Sequence, residues 1–154
     1  MKTLLLFSVL LISCWSYAQK AMTFGEAEEQ HMPARQLDSI YKSGIHSDTS
    51  LAVFKTNQQE YIDAYQHLLK ELGSYLQKND FSWPQTTKGF NRIYFDKSGK
   101  IDYFLYNFRP GQLTSEQEKR FGELLGQFIA TYRFPLSASV KFAQCSPVTY
   151  VPAN

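Results

Sequence analysis

Phe90-Asn91-Arg92-Ile93-Tyr94-Phe95, then Asp96-Lys97-Ser98-Gly99, then Lys100-Ile101-Asp102-Tyr103-Phe104-Leu105-Tyr106-Asn107-Phe108 is the stretch on which the reading of this chain turns. Its first part is rich in aromatic and branched residues, which suit a pleated strand. The four residues after it form a turn, with Gly99 free to take a positive φ. Lys100 to Phe108 continues as a second strand, and so short a loop makes the pair an antiparallel hairpin. Simple alternation sends Ile101, Tyr103 and Leu105 to one face and Phe104, Tyr106 and Phe108 to the other. A sheet with one face in water alternates apolar with polar residues. Both faces here are apolar, which predicts a covering layer on each.

Helices to supply those layers lie on either side. Tyr61, Ala64, Tyr65, Leu68, Leu69, Leu72, Tyr75 and Leu76 recur at steps of three and four, so a helix is expected over 57–78. Asn57 and Glu60 have capping-box spacing at its start. Phe121, Leu124, Leu125, Phe128, Ile129 and Tyr132 mark a second helix, about 115–132, with Thr114 and Ser115 as N-cap candidates and Pro135 beyond its end. A shorter helix starts near Pro33 and is expected to stop at Gly44. Val140 to Val151 reads as a last strand; Pro147 inside it cannot donate to a ladder, which predicts an edge or a bulge there. The order helix-helix-strand-strand-helix-strand gives an α+β domain with a small, mainly antiparallel three-stranded sheet. The long helix is expected on one face and the C-terminal helix on the other. Residues 19–32 read as a polar lead-in, with disorder left open as an alternative. Residues 33–154 read as a single domain, with a helical half (33–80) and a hairpin-helix-strand half (90–151).

The N-terminus reads as an address. Lys2 precedes an apolar run from Leu4 to Ile12, and Ser16-Tyr17-Ala18 places small residues at −3 and −1 of a cleavage site. A nine-residue helix spans roughly 14 Å, against about 30 Å for a bilayer core. A signal peptide over 1–18 and a mature chain from Gln19 follow, with no spanning segment left after cleavage. Leu11-Ile12-Ser13-Cys14 also resembles a bacterial lipobox, which would lipidate Cys14 and tether the product to a membrane. Cleavage after Ala18 leaves Cys145 as the one cysteine, so no intramolecular disulfide can form.

Composition removes several classes. With 44% hydrophobic and 19% charged residues, the chain is neither a disordered tail nor a polytopic membrane protein. A formal charge of +2 supplies no basic field for nucleic acid. Charge is divided: residues 19–87 carry six Lys/Arg and nine Asp/Glu, residues 88–154 nine and five.

Residues 90–151 resemble the C-terminal domain of TonB-type energy-transducing proteins. Arg92 to Ile101 looks like that family's strand–turn–strand opening, and Tyr132-Arg133-Phe134-Pro135 like the segment that closes its helix. The resemblance implies a hairpin, a crossing helix and a last strand, with partners bound by strand addition at a sheet edge. The chain departs from that family in its cleavable address and in lacking a long Pro-rich linker.

Three side-chain sets are candidates for chemistry. Tyr94, Tyr103, Phe104, Tyr106 and Phe108 crowd the hairpin and, if exposed, would form a stacking platform for a glycan or small molecule; if buried, they are core. Asp63, His67 and Glu71 stand one turn apart on the long helix, a spacing that can present ligands to a metal, or simply form a solvated face. Cys145 with a distant histidine could form a nucleophilic pair. Gly122 and Gly126 fit close packing of their helix on the sheet. No phosphate loop, dinucleotide fingerprint or nucleophile elbow is present, and no cofactor is expected. The expected role is a non-enzymatic module of the periplasm or cell envelope that binds an envelope or secreted protein. A glycan or small-molecule binder is the alternative, and a small hydrolase a more distant one.

Overall fold

The structure is a computed structural model, and it describes residues 19–152. Its strands are β1 (Lys20–Thr23), β2 (Lys42–Ser43), β3 (Thr87–Phe95), β4 (Ile101–Phe108) and β5 (Phe142–Tyr150). Its helices are α1 (Phe24–Glu29), α2 (Ala34–Ile40), α3 (Gln58–Lys78) and α4 (Ser115–Thr131), with a 3-10 turn at Thr49–Leu51. The expected signal peptide, residues 1–18, and with it Cys14, lies outside the described residues.

The α+β class holds, but the expected three-stranded antiparallel sheet does not. The sheet has five strands in the order β1-β4-β3-β5-β2 and is mixed. β3 runs antiparallel to β4 and to β5, while β1 is parallel to β4 and β2 is parallel to β5. The two added strands are four and two residues long. Neither shows an alternation to read in the sequence; each exists because a longer strand offers it a ladder. Residues 19–32, read above as a lead-in, carry β1 and α1. Thr23 caps α1 with a capping box: its Oγ1 accepts from the Glu26 N–H at 3.1 Å, and the Glu26 carboxylate accepts from the Thr23 N–H at 2.7 Å.

Residues 20–43 therefore form a strap. It starts at one sheet edge as β1, crosses beneath as α1 and α2, and ends at the other edge as β2. Ala27, Leu37 and Tyr41 of the strap bury Met22, Tyr94 and Leu105. The opposite face meets both long helices. Tyr61, Leu68 and Leu72 of α3 and Phe121, Leu125 and Ile129 of α4 share one core with Ile93, Phe95, Phe104 and Phe142. The expectation of α3 and α4 on opposite faces is thus overturned, because the strap already occupies the second face. Two crossovers between parallel strands, β1 to β2 and β4 to β5, run the same way across the sheet on opposite faces. They therefore have opposite hands, although right-handed crossovers prevail in proteins.

The hairpin adds a second correction. Tyr94 pairs with Tyr103, but Phe95 pairs with Ile101, so Asp102 is an extra residue in β4. One extra residue inverts the alternation beyond it. Ile101 consequently joins Phe104 under the long helices instead of Tyr103 and Leu105, and Asp102 faces the strap. The turn itself forms as expected. Asp96 Oδ1 accepts from the N–H groups of Ser98 (2.8 Å) and Lys100 (2.9 Å), and Gly99 takes φ 85°.

Local signals were followed at some helix ends and not at others. Thr114 caps α4 with a capping box through Gln117. Asn57 makes no cap bond to α3; its Nδ2 donates to Glu60 Oε2 instead, at 3.0 Å. α2 ends at Ile40, and Gly44 serves packing: a Cβ there would stand 2.4 Å from Cζ of the fully buried Tyr61.

That contact yields a stability test. Gly44→Ala is expected to lower unfolding free energy by about 1–3 kcal/mol through overpacking. Gly126→Ala, with no atom within 4 Å of the new methyl, is expected to raise it by up to roughly 1 kcal/mol through helix propensity. Urea unfolding of both variants checks the pair, and a harmless Gly44→Ala would contradict the Tyr61 packing.

Candidate functional site

β5 is served unequally on its two sides. Its inner side pairs with β3 over all nine residues, Phe142 with Phe95 through Tyr150 with Thr87. Its outer side meets β2 only at Phe142 and Ala143. There the Lys42 N–H donates to the Lys141 carbonyl (3.1 Å) and the Gly44 N–H to the Ala143 carbonyl (2.8 Å). Odd-numbered residues of β5 therefore turn their backbone outward, and even-numbered residues turn theirs toward β3. Beyond Ala143 the outward residues are Cys145, Pro147 and Thr149, and no strand among the described residues pairs with them.

This alternation explains Pro147. Its missing N–H falls on the outward side, so the β3–β5 ladder loses no bond, as expected of a proline at an edge. Gln144 Nε2 donates to the Cys145 carbonyl at 3.1 Å and occupies one outward acceptor. The Cys145 N–H, the Pro147 carbonyl and both backbone groups of Thr149 remain, spread over about 13 Å of strand.

A groove of about 500 Å³ runs beside this edge, between β5 and α3. Ile62 and Leu69 of α3 face Val148 and Pro147 across it, with Gln66 and Lys70 at the rim. Its polar floor is made of hydroxyls. The Tyr65 hydroxyl bonds to the Ser146 hydroxyl, and Asn91 Nδ2 donates to the Tyr150 hydroxyl at 2.9 Å. Trp83 stacks on the Tyr150 ring at 4.2 Å between centroids. Burial pushes both phenols up, outweighing the opposing bonds from Ser146 and Asn91. They stay protonated at neutral pH, so they can hydrogen-bond but cannot act as bases. The groove can hold apolar side chains beside an unpaired backbone.

The other face carries a polar network that ties the strap down. The Tyr41 hydroxyl donates to Asp102 Oδ2 at 2.7 Å, Lys141 Nζ donates to the same oxygen at 3.0 Å, and Lys141 also sits 4.9 Å above the Tyr41 ring. Arg92 pairs with Asp38, whose other oxygen accepts from the Tyr94 hydroxyl at 3.1 Å. Burial, and then the Asp102 carboxylate, push the Tyr41 phenol up. The sequence offered no signal for this network, since the bulge alone delivers Asp102 to the strap.

The residues singled out from sequence are dispersed. Tyr94 and Tyr103 lie under the strap, while Phe104, Tyr106 and Phe108 lie under α3 and α4. The five rings therefore share no surface. His67 and Glu71 stand 3.6 Å apart with side chains 61% and 48% exposed, and Asp63 accepts from Gln59 at 2.8 Å. Among the described residues, no group of three or more His, Cys, Asp or Glu is placed to hold a metal ion. Cys145 is exposed and shares with His46 a cavity of about 340 Å³ where β2 leaves β5. The ring Nδ1 of His46 accepts from the Asp48 N–H at 3.0 Å. Gly122 does fit close packing, since a Cβ there would stand 2.6 Å from the Tyr106 hydroxyl; Gly126 has no atom within 4 Å. No described helix is long and apolar enough to cross a membrane.

No protein-family model, curated protein or solved structure matches the chain.

The outward register of β5 can be checked by proline placement. Ser146→Pro removes a donor from the β3 ladder and is expected to cost about 1–3 kcal/mol. Thr149→Pro removes only an outward donor and is expected to cost less than about 1 kcal/mol. Equal losses in thermal and urea unfolding would contradict the assignment.

Proposed function

We infer that this protein is a non-catalytic binding module of the cell envelope, and that it takes an extended segment of a partner protein along the outer edge of β5. The observation that carries the reading is the stretch from Gln144 to Tyr150, paired on one side only, with the α3 groove beside it. An added strand gains main-chain hydrogen bonds from Cys145, Pro147 and Thr149. Every second side chain of that strand turns toward Ile62, Leu69 and Val148. The partner segment is therefore extended, with apolar residues at alternate positions. Pro147 and the Gln144 side chain limit the bonds on offer, which restrains indiscriminate edge pairing. The likeness of residues 90–151 to the TonB-type C-terminal domain favours the same mode.

Export rests on the address at residues 1–18. Cleavage after Ala18 would leave β1 whole, since β1 begins at Lys20. A lipidated Cys14 would instead stand five residues before Gln19, on a tether of at most roughly 17 Å.

A photoreactive residue in place of Gln66, across the groove from the edge, tests the binding mode in the producing cells. The expected product is one partner protein, linked through a segment with alternating apolar residues. Adding Thr149→Pro is expected to cut its yield by roughly five- to ten-fold. Crosslinking that ignores Thr149→Pro, or no product at all, would sink the reading.

Mass spectrometry of the mature N-terminus checks export independently. A chain beginning at Gln19 is expected. One beginning at a lipidated Cys14 would place the module on a membrane, and one beginning at Met1 would remove export.

A further inference from the structure

A second concave surface lies at the opposite edge of the sheet, where β1, β4, α1 and α4 meet. It is a groove of about 730 Å³, and Tyr106 is among its lining residues. Tyr106 is only 3% exposed. Its hydroxyl passes beneath Gly122, where a Cβ would approach it to 2.6 Å. Its ring packs against Phe108 and Phe121. The hydroxyl makes no hydrogen bond with any described residue; the Tyr61 hydroxyl, sealed in the core, makes none either, whereas the phenols of Tyr41, Tyr65, Tyr94 and Tyr150 have polar partners. The Tyr106 oxygen is not sealed in the core but opens on the groove, where its bonding capacity is available to a ligand.

The groove is also acidic. Glu26 from α1 and Glu118 and Glu123 from α4 line it, against the single ammonium of Lys119. Part of this charge is already engaged: one Glu26 oxygen accepts from Thr23, and Glu123 lies 3.7 Å from Arg120. Glu118 has no such partner among the described residues. Burial, and then the charges of Glu26 and Glu118, push the Tyr106 phenol up and keep it neutral. The carboxylates do not converge on a point, since no described cluster could hold a metal ion. A polyatomic cation can touch them at separate places where a single ion cannot.

We propose that this groove is a binding site for an alkylammonium or guanidinium group, whose N–H donates to the Tyr106 hydroxyl oxygen while Glu118 and Glu26 supply the countercharge. The apolar floor of Ala21, Gly122 and the Tyr106 ring receives the carbon chain behind the charged head. Two sources carry this chemistry: a free polyamine, and a Lys or Arg side chain of a second protein. The site shares no residue with the β5 edge, so it stands or falls separately from the peptide-binding reading.

Titration followed by NMR tests it, with spermidine in one arm and N-acetyl-lysine and N-acetyl-arginine methylamides in the other. Saturable shifts of the Gly122 amide and the Tyr106 ring are expected in the micromolar to millimolar range. Spermidine alone giving them assigns a free polyamine, and the capped amino acids alone giving them assigns a partner's side chain. Tyr106→Phe is expected to weaken binding about ten-fold, because a hydrogen bond to a charged group is lost. It should leave thermal stability unchanged, since that hydroxyl has no partner among the described residues. Glu118→Gln is expected to weaken binding roughly two- to five-fold, and the effect of this charge should shrink at high salt. Absence of saturable shifts in both arms overturns the proposal. So does binding that neither variant weakens, or a Tyr106→Phe variant that loses stability and keeps its affinity.

Discussion

β3 is hydrogen-bonded along both of its sides, to β4 from Gly89 to Phe95 and to β5 from Thr87 to Phe95. Every other strand is placed by reference to it. β4 and β5 both run opposite to β3, so they are parallel to each other, and each then offers its far side to a short parallel strand. A two-residue strand such as β2 has no stability of its own; it is held by the ladder of β5 and by the strap's anchors. Asn91, in the middle of β3, is fully buried, and its Nδ2 is satisfied by the Tyr150 hydroxyl. The central strand thus carries a polar side chain into the larger core and fixes Tyr150 beside the groove.

The strap explains why the two faces differ. α3 and α4 bring long rows of Leu, Phe and Tyr to one face and make a thick core. The strap brings few apolar residues, and its hold is completed by two polar clusters: Tyr41, Asp102 and Lys141 in one, Asp38, Arg92 and Tyr94 in the other. Partly buried pairs of this kind contribute modestly, and removing one partner costs more than the pair is worth because the other is stranded. Their geometric effect is clear. They fix where β2 reaches β5, and hence where the covered part of that edge stops and the open part begins.

Much of the backbone was legible. The hairpin, α3, α4 and β5 lie where periodicity and turn residues place them, because each is long enough for its own pattern to repeat. Pro147 signalled an edge or a bulge for a purely local reason, its missing donor, and the unbroken register with β3 leaves the edge. β1 and β2 were not legible, since four and two residues cannot display a period and their stability is borrowed from neighbours. The bulge at Asp102 was hidden as well. Ile101-Asp102-Tyr103-Phe104 alternates acceptably in either register, and only pairing with Tyr94 and Phe95 selects one. The candidate sites followed the same division. The aromatic residues were found, but which face each would join was not; the grooves beside β5 and Gly122 join elements distant in sequence and have no linear signature.

The sequence by itself determined the α+β class, the two long helices, the central hairpin and the presence of apolar surface on both sides of the sheet. These follow from side-chain period, turn chemistry and proline geometry, which act within a few residues. Tertiary structure alone decided the number of strands, the shared face of α3 and α4, and the joining of Tyr106 to Glu118 and of Cys145 to an open edge. Each of these is a contact between distant segments, and a helix's apolar stripe records that it must be buried without recording against which face.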